Sequence, residues 1–145
     1  MKELFDKVCA DCSRNVTKTY STSFSLATRM LSKNIRQDIY NIYGFVRFAD
    51  EIVDTFHNYD KEILLNRFID ELEYSLKNDI SLNPILNSFQ ITVKKYNIDK
   101  HLIDSFLSSM RLDLEKKEYS NYDDYKSYIY GSAAVSYTHL TLPTS

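Results

Sequence analysis

The chain has 145 residues, 43% hydrophobic and 26% charged, with a formal net charge of −2. That length supports one domain with its own core, and the charge offers no concentrated basic face of the kind nucleic acid requires. With only 2 Gly and 2 Pro, the composition argues for long helices joined by short turns and against a strand-rich fold.

Hydrophobic periodicity predicts helices over 2–15, 20–31, 33–57, 61–77, 84–96, 99–117 and 121–134. The first, opening MKELFDKVCADC, lacks the apolar stretch of a secretory signal. No run in the chain approaches the roughly 20 apolar residues of a membrane span. The expected location is the cytoplasm. Cys9 and Cys12 form a C-x-x-C with no second pair and no His at ligand spacing, so two thiols on an ordinary helix are expected, not metal or redox chemistry. His57, His101 and His139 are scattered. Asp60 and Glu62 place negative charge at the start of the 61–77 helix. Ile63, Leu64, Phe68, Leu72 and Leu76 form its core-facing stripe. Asn83 before Pro84 is an N-cap with proline at the first helical position. Ser120 with Asp123 resembles a capping box. The 12 Tyr and 8 Phe, with no Trp, suit either an aromatic core or the wall of a pocket for a greasy ligand with a charged head.

The tail SYTHLTLPTS, Ser136 to Ser145, carries no Asp, Glu, Lys or Arg and leaves the helical pattern abruptly. From Val135 to Thr144 it can be spelled GTC TCT TAT ACA CAT CTG ACG CTG CCG ACG, which reads as a transposon-end sequencing adapter. It is therefore taken as an adapter-derived, non-native tail and set aside from fold reasoning. A natural polar terminus is the alternative.

The third predicted helix carries the chemistry. At about 100° per residue, with Tyr43 at zero, Arg47 falls near ~40°, Asp50 near ~340° and Asp54 near ~20°. Ile42, Val46, Ala49 and Val53 occupy the adjacent arc. The polar stripe thus borders the apolar one and is expected to face a cavity at the edge of the core. Two aspartates at i and i+4 repel each other unless a cation lies between them. Such hard oxygens suit Mg²⁺, which binds through one or two carboxylates plus substrate phosphates. Arg47 offers the planar fork that grips phosphate oxygens. The competing reading is an Arg–Asp ion pair on a solvated helix face.

Three blocks resemble the phytoene/squalene synthase family. They are YSTSFSLATRML (Tyr20 to Leu31), IYNIYGFVRFADEIVD (Ile39 to Asp54) and SMRLDLEKKEYSNYDDYKSYIYGSAAV (Ser109 to Val135). The second is similar to the family's first aspartate-rich motif, Y-x-x-x-R-x-x-D-x-x-x-D. The resemblance runs from about residue 4 to Val135 and is nearest to bacterial phytoene synthases. It implies an all-α, isoprenoid-synthase-type helical bundle, of which this chain would be the N-terminal part. Residue by residue, it implies Asp50 and Asp54 as Mg²⁺ ligands, with Mn²⁺ as the alternative metal, and Arg47 as the diphosphate-binding arginine. Together these three would be the catalytic residues. It implies Tyr43 as a pocket tyrosine, and Tyr20, Ser21, Thr22 and Ser23 as the segment contacting a diphosphate. Asp113 and Tyr128 would line the central cavity. Glu51, one residue off the motif's face, is read as supporting or solvated.

The implied activity is head-to-head condensation of two geranylgeranyl diphosphates to phytoene through a cyclopropylcarbinyl diphosphate, with prenyl diphosphates as partners and a peripheral membrane contact for product release. Farnesyl diphosphate chemistry of the squalene or dehydrosqualene type is the nearest alternative. A non-catalytic binding or assembly factor is the alternative from another class. The family's second aspartate-rich motif is absent from this chain. Residues 1–135 are therefore expected to be a truncated domain, inactive alone, with the apolar faces of 84–96 and 99–117 open to water.

Overall fold

The structure, a computed structural model, describes residues 1–115. The predicted helix 121–134, the Ser120–Asp123 box, Tyr128, His139 and the tail lie outside those residues. Among them are six helices and no strand: α1 (Lys2–Tyr20), α2 (Thr22–Arg29), α3 (Lys33–Asp54), α4 (Lys61–Asn78), α5 (Pro84–Tyr96) and α6 (Lys100–Glu115). The all-α expectation holds.

The helix ends follow local chemistry. Asn83 Oδ1 accepts from the Ile85 and Leu86 amides at 3.0 and 3.2 Å, so α5 starts at Pro84. Asp60 caps α4 by accepting from the Ile63 amide at 3.1 Å. Asp79 and Asn97 close α4 and α5 in the left-handed region, at φ 63° and 50°. Two expected boundaries shift. α1 runs through Tyr20, not Asn15, because Thr17 satisfies its hydroxyl on the Ser13 carbonyl at 2.9 Å inside the helix. The break falls at Ser21, whose extended backbone ends α1 while its side chain caps α2. α3 stops at Asp54, not residue 57, where Lys61 Nζ donates to the Val53 carbonyl at 2.5 Å and satisfies one of its terminal acceptors.

α3 is the central element, with α1, α4, α5 and α6 packed around it. Phe45 stands at the centre of the core: its ring stacks on Phe89 at 4.0 Å and Phe68 at 5.6 Å, and meets Phe106 at 5.5 Å. Much of the Phe surplus is therefore core. Each such ring contributes roughly 1.5–3 kcal/mol by leaving water. On α4 the buried stripe is Leu65, Phe68 and Leu72, while Ile63 is exposed. This corrects the expected stripe: Leu65, Phe68 and Leu72 recur at i, i+3 and i+7, and Ile63 lies roughly 200° from Leu65.

The expectation of uncovered faces is corrected for most of their residues, although Leu112 of α6 is 52% exposed. Ile85, Leu86, Phe89 and Val93 of α5, and Ile103, Phe106, Leu107 and Met110 of α6, are buried. α5 is enclosed because α1, α3 and α4 all pack on it.

α1 approaches α3 closely because its inner stripe is small: Cys9, Ser13 and Thr17 are all buried. Opposite lies Gly44, where an added Cβ would come within 3.3 Å of Ser13 Oγ and 3.4 Å of Ile85 Cγ2. The Cys9 thiol is buried, and burial pushes its pKa up. A raised pKa lowers the share of Cys9 present as thiolate, the form that attacks disulfides and binds metals. Among the described residues no helix is long and apolar enough to cross a membrane.

Candidate functional site

The polar stripe of α3 is not a solvated face. Asp50 is 2% exposed, Tyr43 is buried, and Arg47 and Asp54 are half-buried. α1 and α2 cover the stripe. Arg47 Cζ lies 4.7 Å from the Tyr20 ring centre, a cation–π contact from the last residue of α1. Phe24 of α2 stacks on Tyr43 at 4.9 Å. Ser21 positions both rings: it ends α1 directly after Tyr20, and its Oγ accepts from the Phe24 amide at 3.2 Å.

The guanidinium is held by two carboxylates. Arg47 Nη1 donates to Asp50 Oδ2 at 2.5 Å, and Nη2 donates to Glu51 Oε1. Buried this deeply, an ionised Asp50 needs such a partner, because taking an unpaired carboxylate out of water costs several kcal/mol. Asp50 and Asp54, one helical turn apart, present hard oxygens on the side that carries Arg47. Among the described residues no three His, Cys, Asp or Glu side chains form a ready-made cage. That donor set fits Mg²⁺, which takes one or two carboxylates and completes its octahedron with water and phosphate oxygens.

Tyr20, Arg47, Asp50 and Glu51 therefore form one cluster, with Tyr43 and Phe24 stacked on the same stripe. Ser21 is half-buried, while Thr22 and Ser23 are exposed in the first turn of α2. Asp113 is half-buried in the last described turn of α6. A cavity of about 730 Å³ opens between α3 and α4, with Phe48, Ile52, Leu64 and Phe68 among its apolar walls and Arg67, Asp70 and Glu71 among its polar ones. Tyr20 and Glu51 line this cavity, whereas Tyr43, Arg47, Asp50 and Asp54 do not. Within the stripe, Asp50 and Tyr43 are buried and Arg47 and Asp54 half-buried. Glu51, read from the sequence as peripheral, is both an Arg47 partner and a cavity residue. Its signal was the i, i+4 spacing from Arg47, which brings long side chains together even when their Cα directions diverge.

Comparison with known proteins follows the same residues. A family model described as "Squalene/phytoene synthase" matches residues 17–141. Phytoene synthase 1, chloroplastic, of Zea mays is 28% identical over 131 residues, covering 90% of this chain and 30% of the relative. The phytoene synthase of Arthrospira platensis is 25% identical over 123 residues, covering 84% of this chain and 40% of the relative. A dehydrosqualene synthase crystallised with a ligand superposes with a TM-score of 0.75 at 21% identity, over 93% of this chain and 48% of that one, and so shares the fold. The chain thus spans about a third of the length of these curated relatives. With most of its residues matched, and with the aspartate-rich helix inside the match, the chain belongs to the squalene/phytoene synthase family.

Proposed function

We propose that the protein is a Mg²⁺-dependent prenyltransferase that joins two geranylgeranyl diphosphates head to head to phytoene, and that this chain carries one of its diphosphate-handling sites. The observation that carries the reading is the buried cluster of Arg47 and Asp50, with Asp54 one turn on, roofed by Tyr20. A cation–dicarboxylate group at the core's edge has little use as a surface ion pair, which contributes about 0–1 kcal/mol. It does have a use where a diphosphate must be held and released. The naming of the curated relatives as phytoene synthases supports the reading of phytoene over dehydrosqualene as the product.

Mg²⁺ held by Asp50 and Asp54 would supply charge neutralisation for the departing diphosphate. Arg47 would grip the diphosphate oxygens through its planar fork and stabilise the charge that develops on them. The Tyr20 ring would keep the guanidinium face oriented. Phe24 and Tyr43 would shield the ionising carbon from water while offering no nucleophile stronger than a phenol. Peripheral contact with a membrane would take up the apolar product.

The test is turnover by the full-length protein with Mg²⁺ and labelled geranylgeranyl or farnesyl diphosphate. Phytoene from the first substrate is the expected product. Dehydrosqualene or squalene from the second alone would overturn the substrate assignment, and no condensation product from either would overturn the enzyme reading.

A further inference from the structure

The proposed chemistry gives work to Arg47, Asp50 and Asp54 and leaves Glu51 without any. Glu51 nevertheless holds the second arm of the arginine fork. We infer that Glu51 is a positioning residue that parks Arg47 in the ligand-free protein, so that an arriving diphosphate must take the guanidinium from Glu51 before it can bind. The inference rests on the reading of Arg47 as the diphosphate-binding arginine.

Three features carry it. First, Nη1 is committed to Asp50 and Nη2 to Glu51, and these are the groups a planar fork offers to a bidentate phosphate. Second, the group is shielded: the side chains of Arg47, Asp50 and Glu51 are 11%, 3% and 13% exposed, so water competes weakly for the pair. Third, the two carboxylates differ in freedom. Asp50 is packed in place, whereas Glu51 lies on the wall of the 730 Å³ cavity and has room to swing away. The exchange therefore takes place at Glu51.

A protein whose binding-competent state is only a fraction f of the population binds with its intrinsic Kd divided by f. Glu51 sets that fraction.

The experiment uses the 145-residue chain with EDTA present and inorganic diphosphate as the probe, titrated by calorimetry. Glu51→Gln is expected to tighten diphosphate binding by about tenfold, corresponding to f near 0.1 in the parent. Glu51→Asp, which keeps the charge on a shorter arm, should fall between the two. Asp70→Asn, which removes one negative charge from the same cavity wall, should leave the affinity within about twofold, separating the exchange from a general field effect. Arg47→Gln should abolish binding, and Glu51→Gln should then restore none. Unchanged or weaker binding by Glu51→Gln, with parental circular dichroism, overturns the inference, as does an equal gain from Asp70→Asn. Diphosphate binding that survives Arg47→Gln intact overturns instead the assignment of Arg47 on which the inference stands.

Discussion

The hydroxyl of Tyr96 donates to Asp38 Oδ2 at 2.7 Å, and Lys95 Nζ reaches the same oxygen at 2.9 Å. Thr92 donates to the other oxygen at 3.0 Å and accepts from Asn41 Nδ2 at 3.0 Å. A carboxylate buried in the first half of α3 is thus met by three donors from the last turns of α5. Asp38→Ala leaves the Thr92 hydroxyl buried without its acceptor and should cost about 2–3 kcal/mol of stability. Urea unfolding measures it, and a midpoint equal to the parent's would show that this network adds nothing to the fold.

The same network sets an alkaline limit. Burial, together with its hydrogen bond to Asp38, raises the Tyr96 hydroxyl pKa, and the hydrogen bond to Asp38 raises that of Lys95. Both groups therefore keep their protons longer when folded than when unfolded. Their stabilisation is full below about pH 10 and is lost as pH climbs through the raised folded values. The Lys95 side chain is half exposed, so its share is small. Tyr96→Phe should flatten the fall in stability between about pH 10 and 12, a range chosen from the ordinary tyrosine and lysine values. An unaltered slope in melts across that range would remove Tyr96 from the account.

Asp50→Asn and Asp54→Asn should each abolish turnover in the full-length protein while leaving the helical circular dichroism intact. If they hold Mg²⁺ as proposed, loss of one charged ligand would remove roughly 4 kcal/mol or more of transition-state stabilisation, about three decades in rate. Either variant converting geranylgeranyl diphosphate at near-parental rates would release that residue from its assigned role.

Arg47→Lys keeps the charge and loses the fork. A lysine ammonium can pair with one carboxylate or one phosphate oxygen but cannot hold two in a plane. Turnover should drop by about two decades. A variant within threefold of the parent would mean that a point charge suffices at this position.

Gly44→Val tests the contact between α1 and α3. A Cβ there meets Ser13 Oγ at 3.3 Å and Ile85 Cγ2 at 3.4 Å, and valine adds two methyls beyond it. Overpacking should cost about 2–3 kcal/mol. A thermal midpoint at or above the parent's would show that the two helices separate without loss.

The sequence made some of this architecture legible and hid the rest for physical reasons. The start of α5 is legible because Asn83 and Pro84 are a local signal that no distant contact overrides. The angular grouping of Tyr43, Arg47, Asp50 and Asp54 also followed from helix geometry alone. What covers them did not, because Tyr20 and Phe24 belong to other helices, and the turn at Ser21 that aims them was misplaced by several residues. Asp38 has a role that is not legible in the sequence. Its place on the wheel, roughly 220° from Tyr43, lies on the apolar side of α3. A lone acid on a core-facing arc was the available signal, and its three partners, 54 to 58 residues away, were not.

The extended corner at Ser21 makes the site a local unit of order. Its amide donates to Thr17 O at 2.9 Å, its carbonyl accepts from the Ser25 amide at 3.0 Å, and its hydroxyl accepts from the Phe24 amide. Opening that one residue would let go of Tyr20 on one side and Phe24 on the other, uncovering Arg47 and Tyr43 together. Backbone amides close only as long as their neighbourhood does. The solvent-exchange rate of the Phe24 amide proton is therefore a clock for the roof over the arginine, and any anion that Arg47 and Tyr20 clasp jointly should slow it without touching α2 itself.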